Sequence, residues 1–321
     1  MNSVPVHLGD DITVGMAAYG GQEVTRVAIE CLLASAEGDF QLLLVDDASP
    51  DATIDVFRWA SQNHRNTRII QFPNNMEYVH AVNAILSHST GRLVAFVSND
   101  YLLTPAWFRQ IIGSFDANHS VGIVTGTSSY CDNLDASRNL LNSEFVFVDS
   151  DELFAFAEGI SKAFLDRPLL PDRIFVGDAF VVSRAVLDRI GTFDTSFVGY
   201  MADQEFALRC KRAQFSVMVN QAAFGYHVKN ANIAYLDERQ QAIKIRSRFR
   251  KTRLAFRRFV DKYGLTSQIA YGQEEGPVLD AELLTALALA EARMTDDQLF
   301  VAALSYERFF LPGAVTGDPG K

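Results

Sequence analysis

Short apolar, β-branched runs alternate with amphipathic segments over residues 10–125, and this alternation restricts the fold more than any single motif. The runs are Ile12–Met16, Leu42–Val45, Arg68–Phe72, Leu93–Val97 and Val121–Val124. Between them, Val24–Ala36, Ala52–Ser61, Val79–Leu86 and Ala106–Phe115 carry apolar residues at helical spacing. In the first of these, Val27, Cys31 and Ala34 share the expected buried face, with Ala28 and Leu32 adjoining it. Thr104 followed by Pro105 reads as an N-cap and a first-turn proline. Strands alternating with helices build βαβ units, so the chain is expected to be α/β, with an open, mainly parallel sheet flanked by helices.

Composition narrows the function classes. Apolar residues make up 48% and charged residues 21%, which suits a folded globular chain. A net charge of −10 argues against a general nucleic-acid binder. The three cysteines, Cys31, Cys131 and Cys210, lie far apart and form no CxxC, which excludes a cysteine zinc site or a disulfide framework. No apolar run approaches the roughly 18 residues of a membrane span, and MNSVPVHLGDD has no leader-like pattern. A cytoplasmic location is expected.

Open α/β sheets bind ligands beyond the carboxyl ends of their strands. Here those ends are Ala17-Ala18-Tyr19-Gly20-Gly21, Asp46-Asp47-Ala48-Ser49-Pro50-Asp51 and Ser98-Asn99-Asp100. An aromatic ring and several carboxylates therefore converge on one crevice, although Asp47, Ser49 and Asp51 also suit a turn and helix cap. The segment Gly15–Gly20 lacks GxGxxG spacing, and Gln22 follows Gly21 where a phosphate-cradling loop needs lysine. Dehydrogenase and P-loop readings fail.

The order of segments resembles the family 2 glycosyltransferases, inverting nucleotide-sugar-dependent enzymes of GT-A fold, over about residues 10–230. ITVGMAAYG, LLLVDDASPDAT, GRLVAFVSNDYLLTPAWF, GDAFVVSRAVLDRIGTFDTSF and YMADQEFALRCKRAQF stand in the family's order, with His227 at the spacing of a histidine that often follows. The resemblance implies Mg²⁺ or Mn²⁺ held by Asp100, the last acid of the metal motif, and by His227. It implies Asp203 as catalytic base and Glu205 as the final acid of the same motif. Ala17, Tyr19, Asp46, Asp47, Asn75, Asn83 and Asn99 are the implied donor-nucleotide contacts, with Tyr19 stacking on the base and Asp47 accepting from it. Asp178 is implied to touch the acceptor or the donor sugar. The chain departs from the pattern where Ser98 and Asn99 replace acids, Glu77 a glycine, Val82 an arginine and Ala202 a glutamate.

The implied partners are a UDP-, dTDP- or GDP-sugar and a glycan, lipid-linked or small-molecule acceptor. A catalytically silent nucleotide- or glycan-binding module is the alternative. Residues 1–235 are expected to form the GT-A domain, with a nucleotide-binding half over about 10–125 and an acceptor half over 126–235. Residues 236–321 are expected to form a helical extension. Residues 237–262 hold ten Lys or Arg against three Asp or Glu, a pattern suited to packing on the acidic domain or resting on an anionic membrane face. Segments 281–292 and 299–310 read as apolar helices suited to a subdomain or a homodimer contact.

Overall fold

The computed structural model describes residues 4–117, 120–130, 138, 147–172, 175–197, 201–228, and positions 231, 255, 258, 259, 262 and 263. Segments 281–292 and 299–310, expected to be helices, and most of the basic segment lie outside the described residues. Among the described residues, no helix is long and apolar enough to cross a membrane.

The chain opens with β1 (Val6–Leu8), β2 (Ile12–Ala18), α1 (Gln22–Ser35), β3 (Ala36–Gly38), β4 (Gln41–Asp46), α2 (Thr53–Asn63) and β5 (Thr67–Gln71). It continues with α3 (Glu77–His88), β6 (Leu93–Ser98), β7 (Tyr101–Leu102), α4 (Pro105–Ala117) and β8 (Val121–Ser128). Then come α5 (Ser150–Phe164), β9 (Leu170–Pro171), β10 (Ala179–Ser183), α6 (Arg184–Ile190), α7 (Ala202–Arg212) and β11 (Ser216–His227). All five expected strands and all four expected helices are present. One sheet runs in the order β5-β4-β2-β6-β10-β8-β11-β7, with β9 on β11 and a separate β1-β3 pair.

Strands β5, β4, β2 and β6 are mutually parallel, whereas β10 runs antiparallel between β6 and β8. Side chains alternate across the strands, so Leu42 and Leu44 pack with α1 and α2 while Leu43 and Val45 pack with α3. The same alternation sends Leu93, Ala95 and Val97 to one layer and Val94 and Phe96 to the other. Burying both faces makes each of these strands a continuous apolar run. Thr104 caps α4, its Oγ1 accepting from Trp107 N at 3.1 Å.

The buried face of α1 differs from expectation. Thr25, Ala28, Ile29, Cys31, Leu32 and Ser35 are buried, while Val27 is 45% exposed. The Thr25 and Ser35 hydroxyls donate to the Gly21 and Leu103 carbonyls, at 2.8 and 3.0 Å. Satisfied hydroxyls lie readily in a core, so counting apolar residues alone rotated the face.

Candidate active site

The β2–α1 turn is held from two neighbouring strand ends. Ser49 Oγ accepts from Gly20 N at 2.8 Å, and Asp51 Oδ2 accepts from Gln22 N at 3.0 Å. From the other side, Asn99 Nδ2 donates to the Gly20 carbonyl and to Thr25 Oγ1 at 3.0 and 2.8 Å. Tyr19 stands at this turn with 44% of its surface exposed, beyond Ala17 at the end of β2.

Asp46 and Asp47 are both buried. Asp46 accepts from Ser49 N and Gln71 Nε2 at 3.1 and 3.0 Å. The two oxygens of Asp47 accept from the main-chain N–H groups of Met76 and Glu77, so any nucleobase contact would be additional to these bonds. Burial raises the Asp47 pKa, partly opposed by those bonds. Glu77 has φ 69°, the left-handed region that favours glycine, and Asn75 Oδ1 also accepts from its N–H at 2.9 Å. Asn83 is drawn elsewhere: its amide exchanges two 2.8 Å hydrogen bonds with the Phe193 main chain and so anchors the segment before α7.

Asp100 and His227 meet because β7 pairs antiparallel with the end of β11, His227 opposite Tyr101. The carbonyl of Asp100 accepts from Val228 N at 2.8 Å, and its Oδ1 lies 3.4 Å from His227 Nε2. Desolvation pushes the Asp100 carboxyl up, but hydrogen bonding and charge from His227 outweigh it, and its pKa lies below the usual carboxylate range. On its other nitrogen, His227 Nδ1 lies 3.1 Å from the Tyr130 carbonyl and 3.7 Å from Asp178 Oδ2.

Asp203 begins α7, after Met201 at φ 69°. Its Oδ2 accepts from Gly177 N at 3.1 Å and its Oδ1 from Gln204 N at 2.9 Å. Desolvation, with a contribution from the Asp178 charge, raises its pKa from 3.8 to about 6. Tyr78 Oη donates to the Gly177 carbonyl at 2.8 Å. Burial, then the charges of Asp203 and Asp178, hold the Tyr78 phenol well above its ordinary value. A Cβ on residue 177 would stand 2.1 Å from Tyr78 Oη and 3.3 Å from Asp203 Cβ, so only glycine fits between them.

Glu205 is not part of this cluster. Two residues along a helix turn its side chain about 200° from Asp203, and the structure buries it completely on the other side. There it binds Arg209 Nε at 2.9 Å, Lys262 Nζ at 2.7 Å and Tyr263 Oη at 2.8 Å. This placement sets Glu205, the final acid of the motif, apart from Asp203: its carboxylate ties Lys262 and Tyr263 to α7. Tyr78 and Arg138 carry no motif in the sequence; Gly177 opens the GDAFVVSRAVLDRIGTFDTSF segment, but only the fold shows it between Tyr78 and Asp203.

Among the described residues, no group of three or more His, Cys, Asp or Glu forms a metal cage. The Asp100–His227 pair nevertheless fits a catalytic Mg²⁺ or Mn²⁺, which takes few protein ligands and completes its shell with phosphate oxygens and water. One carboxylate and one imidazole nitrogen 3.4 Å apart are such a set.

The model of glycosyl transferase family 2 matches residues 13–191. A putative glycosyltransferase, EpsE of Bacillus subtilis, is 30% identical over 117 residues, covering 36% of this chain and 42% of the relative. An uncharacterized glycosyltransferase of Nostoc is 27% identical over 113 residues, covering 35% of each chain. The matched stretch thus spans less than half the length of these relatives. The fold is shared with a mannosyltransferase from Pyrobaculum calidifontis in complex with GDP-Man and Mn²⁺, at TM-score 0.55 and 17% identity, over 92% of this chain and 73% of that one. It is shared also with S. aureus TarS 1–349 in complex with UDP-GlcNAc, at TM-score 0.51 and 13% identity, over 93% and 89% of the two chains. The parallel strand ends, the clustered carboxylates and a family match over more than half its length agree: this chain belongs to glycosyl transferase family 2.

Proposed function

We propose that the chain is an inverting, divalent-cation-assisted glycosyltransferase that moves a sugar from a UDP-, dTDP- or GDP-sugar to an acceptor hydroxyl. The observation that carries this reading is the Asp203 carboxylate, held by the main-chain N–H groups of Gly177 and Gln204 beside Asp178, where burial raises its pKa to about 6. In one displacement, the acceptor oxygen bonds to the anomeric carbon as the anomeric bond to the diphosphate oxygen breaks. The departing electron pair goes to the nucleoside diphosphate and the acceptor proton to an Asp203 oxygen. Asp100 and His227 would hold Mg²⁺ or Mn²⁺, which would supply Lewis-acid neutralisation of the leaving group.

Tyr19 offers an exposed ring for the nucleobase, with Ala17, Asp46, Asp47, Asn75 and Asn99 as the further donor-nucleotide contacts. Asp178 is buried beside Asp203 and His227, and we assign it to the support of the site in place of the donor-sugar or acceptor contact that the resemblance implies. Fold neighbours that carry GDP-Man or UDP-GlcNAc support a nucleotide-sugar donor. The test is nucleotide release from a panel of UDP-, GDP- and dTDP-sugars with Mn²⁺, with and without glycan, lipid-linked and small-molecule acceptors. Acceptor-dependent release supports transfer; donor binding without turnover across the panel would identify a silent binding module instead.

A further inference from the structure

Arg138 is fully buried, an unusual place for a guanidinium. Its three donor nitrogens are each engaged. Nε donates to the Gly126 carbonyl at 3.2 Å, Nη1 to the Val176 carbonyl at 3.0 Å and Nη2 to Asp178 Oδ1 at 2.7 Å. Asp178 Oδ1 also accepts from Ala179 N at 2.8 Å. The carboxylate is thereby fixed in rotation, and its second oxygen faces His227 Nδ1 at 3.7 Å, with no hydrogen-bond partner among the described residues. The Tyr130 carbonyl approaches the same nitrogen at 3.1 Å. Both neighbours of Nδ1 are acceptors, so the nitrogen between them carries a proton. The opposite nitrogen, Nε2, faces Asp100 Oδ1 at 3.4 Å, where a bound cation would take the place of its proton.

We propose that Arg138 and Asp178 are positioning residues that hold the His227 imidazole with its proton on Nδ1, presenting Nε2 beside Asp100 as a ligand for a divalent cation. The inference rests on the reading of Asp100 and His227 as the cation site. An anchored acceptor behind a ligating histidine fixes its ring and tautomer, and loss of such a partner costs about 10–100-fold in metal affinity. In Asp178→Asn the side chain keeps an oxygen for Arg138 and turns an amide N–H toward Nδ1, which favours the opposite tautomer.

Two measurements on the full chain test this. Histidine ¹⁵N NMR reads the tautomer of His227, and the free Mn²⁺ signal in electron paramagnetic resonance reads affinity, with Mn²⁺ alone and with UDP or GDP. With diamagnetic Mg²⁺ and UDP or GDP bound, the wild-type chain is expected to show the Nδ1–H form; Asp178→Asn is expected to lose it and to weaken Mn²⁺ binding about tenfold or more. Arg138→Met should act in the same direction; where it unfolds the chain, Asp178→Asn carries the test. A folded Asp178→Asn variant with wild-type tautomer and Mn²⁺ affinity overturns the inference and leaves the cation site standing. A wild-type chain that binds no Mn²⁺ under any of these conditions overturns the cation site, and the inference with it.

Discussion

The main-chain N–H of Gly177 donates to Asp203 Oδ2 at 3.1 Å, while the carbonyl of the same glycine accepts from Tyr78 Oη. One peptide segment thus orients the proposed base, joins it to α3 and leads directly into Asp178. The roles of these residues can be separated by substitution.

Asp203→Asn keeps an oxygen for one of the two N–H donors but removes the proton acceptor. Turnover is expected to fall about 10²–10⁴-fold, the usual worth of general-base catalysis, with donor affinity retained. In the wild-type chain the rate should drop as pH falls through about 6, where Asp203 becomes protonated. Steady-state kinetics across pH checks both; unchanged turnover in the variant removes the base assignment.

The same carboxyl makes a stability prediction. Its folded pKa is raised from 3.8 to about 6, so the stabilisation linked to the protonated form is complete below the unfolded value and lost as pH rises through 6. Between about pH 4 and pH 8 the wild-type chain should lose roughly 1–3 kcal/mol relative to Asp203→Asn. Urea unfolding of both proteins at the two pH values measures the difference.

Gly177→Ala drives a methyl group into Tyr78 Oη, an overpacking expected to cost about 1–3 kcal/mol and to misplace Asp203. Adding Tyr78→Phe removes the clashing oxygen and leaves the ring carbon at 3.4 Å, an ordinary contact. The double variant should therefore unfold at a higher temperature than Gly177→Ala alone. Additive losses in a calorimetric cycle would show that the two residues do not meet in this way.

Glu205→Ala deletes a fully buried carboxylate that binds Arg209, Lys262 and Tyr263. Leaving these partners without it should cost about 3–5 kcal/mol. Limited proteolysis should then cut near residues 258–263 at low denaturant, where the wild-type chain resists. A chain that resists cleavage equally without Glu205 would refute the tie between α7 and the C-terminal segment.

At Glu77, a left-handed backbone is imposed on a residue with a Cβ. Glu77→Val should lower stability by about 1–2 kcal/mol, since branching worsens that conformation, whereas Glu77→Gly should not lower it. Chemical denaturation of the two variants distinguishes them.

The alternation of apolar runs was sufficient to locate β2, β4, β5, β6, β8 and the four helices among them, because strand and helix periods are local properties of neighbouring residues. The resemblance to family 2 glycosyltransferases, carried by the order of short segments, implied site roles for Asp100, His227, Asp178 and Asp203, although they lie far apart in sequence. What the sequence could not carry was the use each polar group is put to once the chain closes. Glu205 and Asp203 read alike as helix-start acids, yet the helical turn sends one into an ion cluster and the other to the Gly177 main chain. Asn83 and Asn99 read alike as ligand contacts, yet Asn83 exchanges hydrogen bonds with the Phe193 main chain, whereas Asn99 Nδ2 donates to the Gly20 carbonyl and the Thr25 hydroxyl at the β2–α1 turn. Arg138 was invisible until the fold enclosed it beside Asp178. Periodicity is written along the chain; desolvation and hydrogen-bond partnership depend on residues brought together from far apart, and only the tertiary structure decides them.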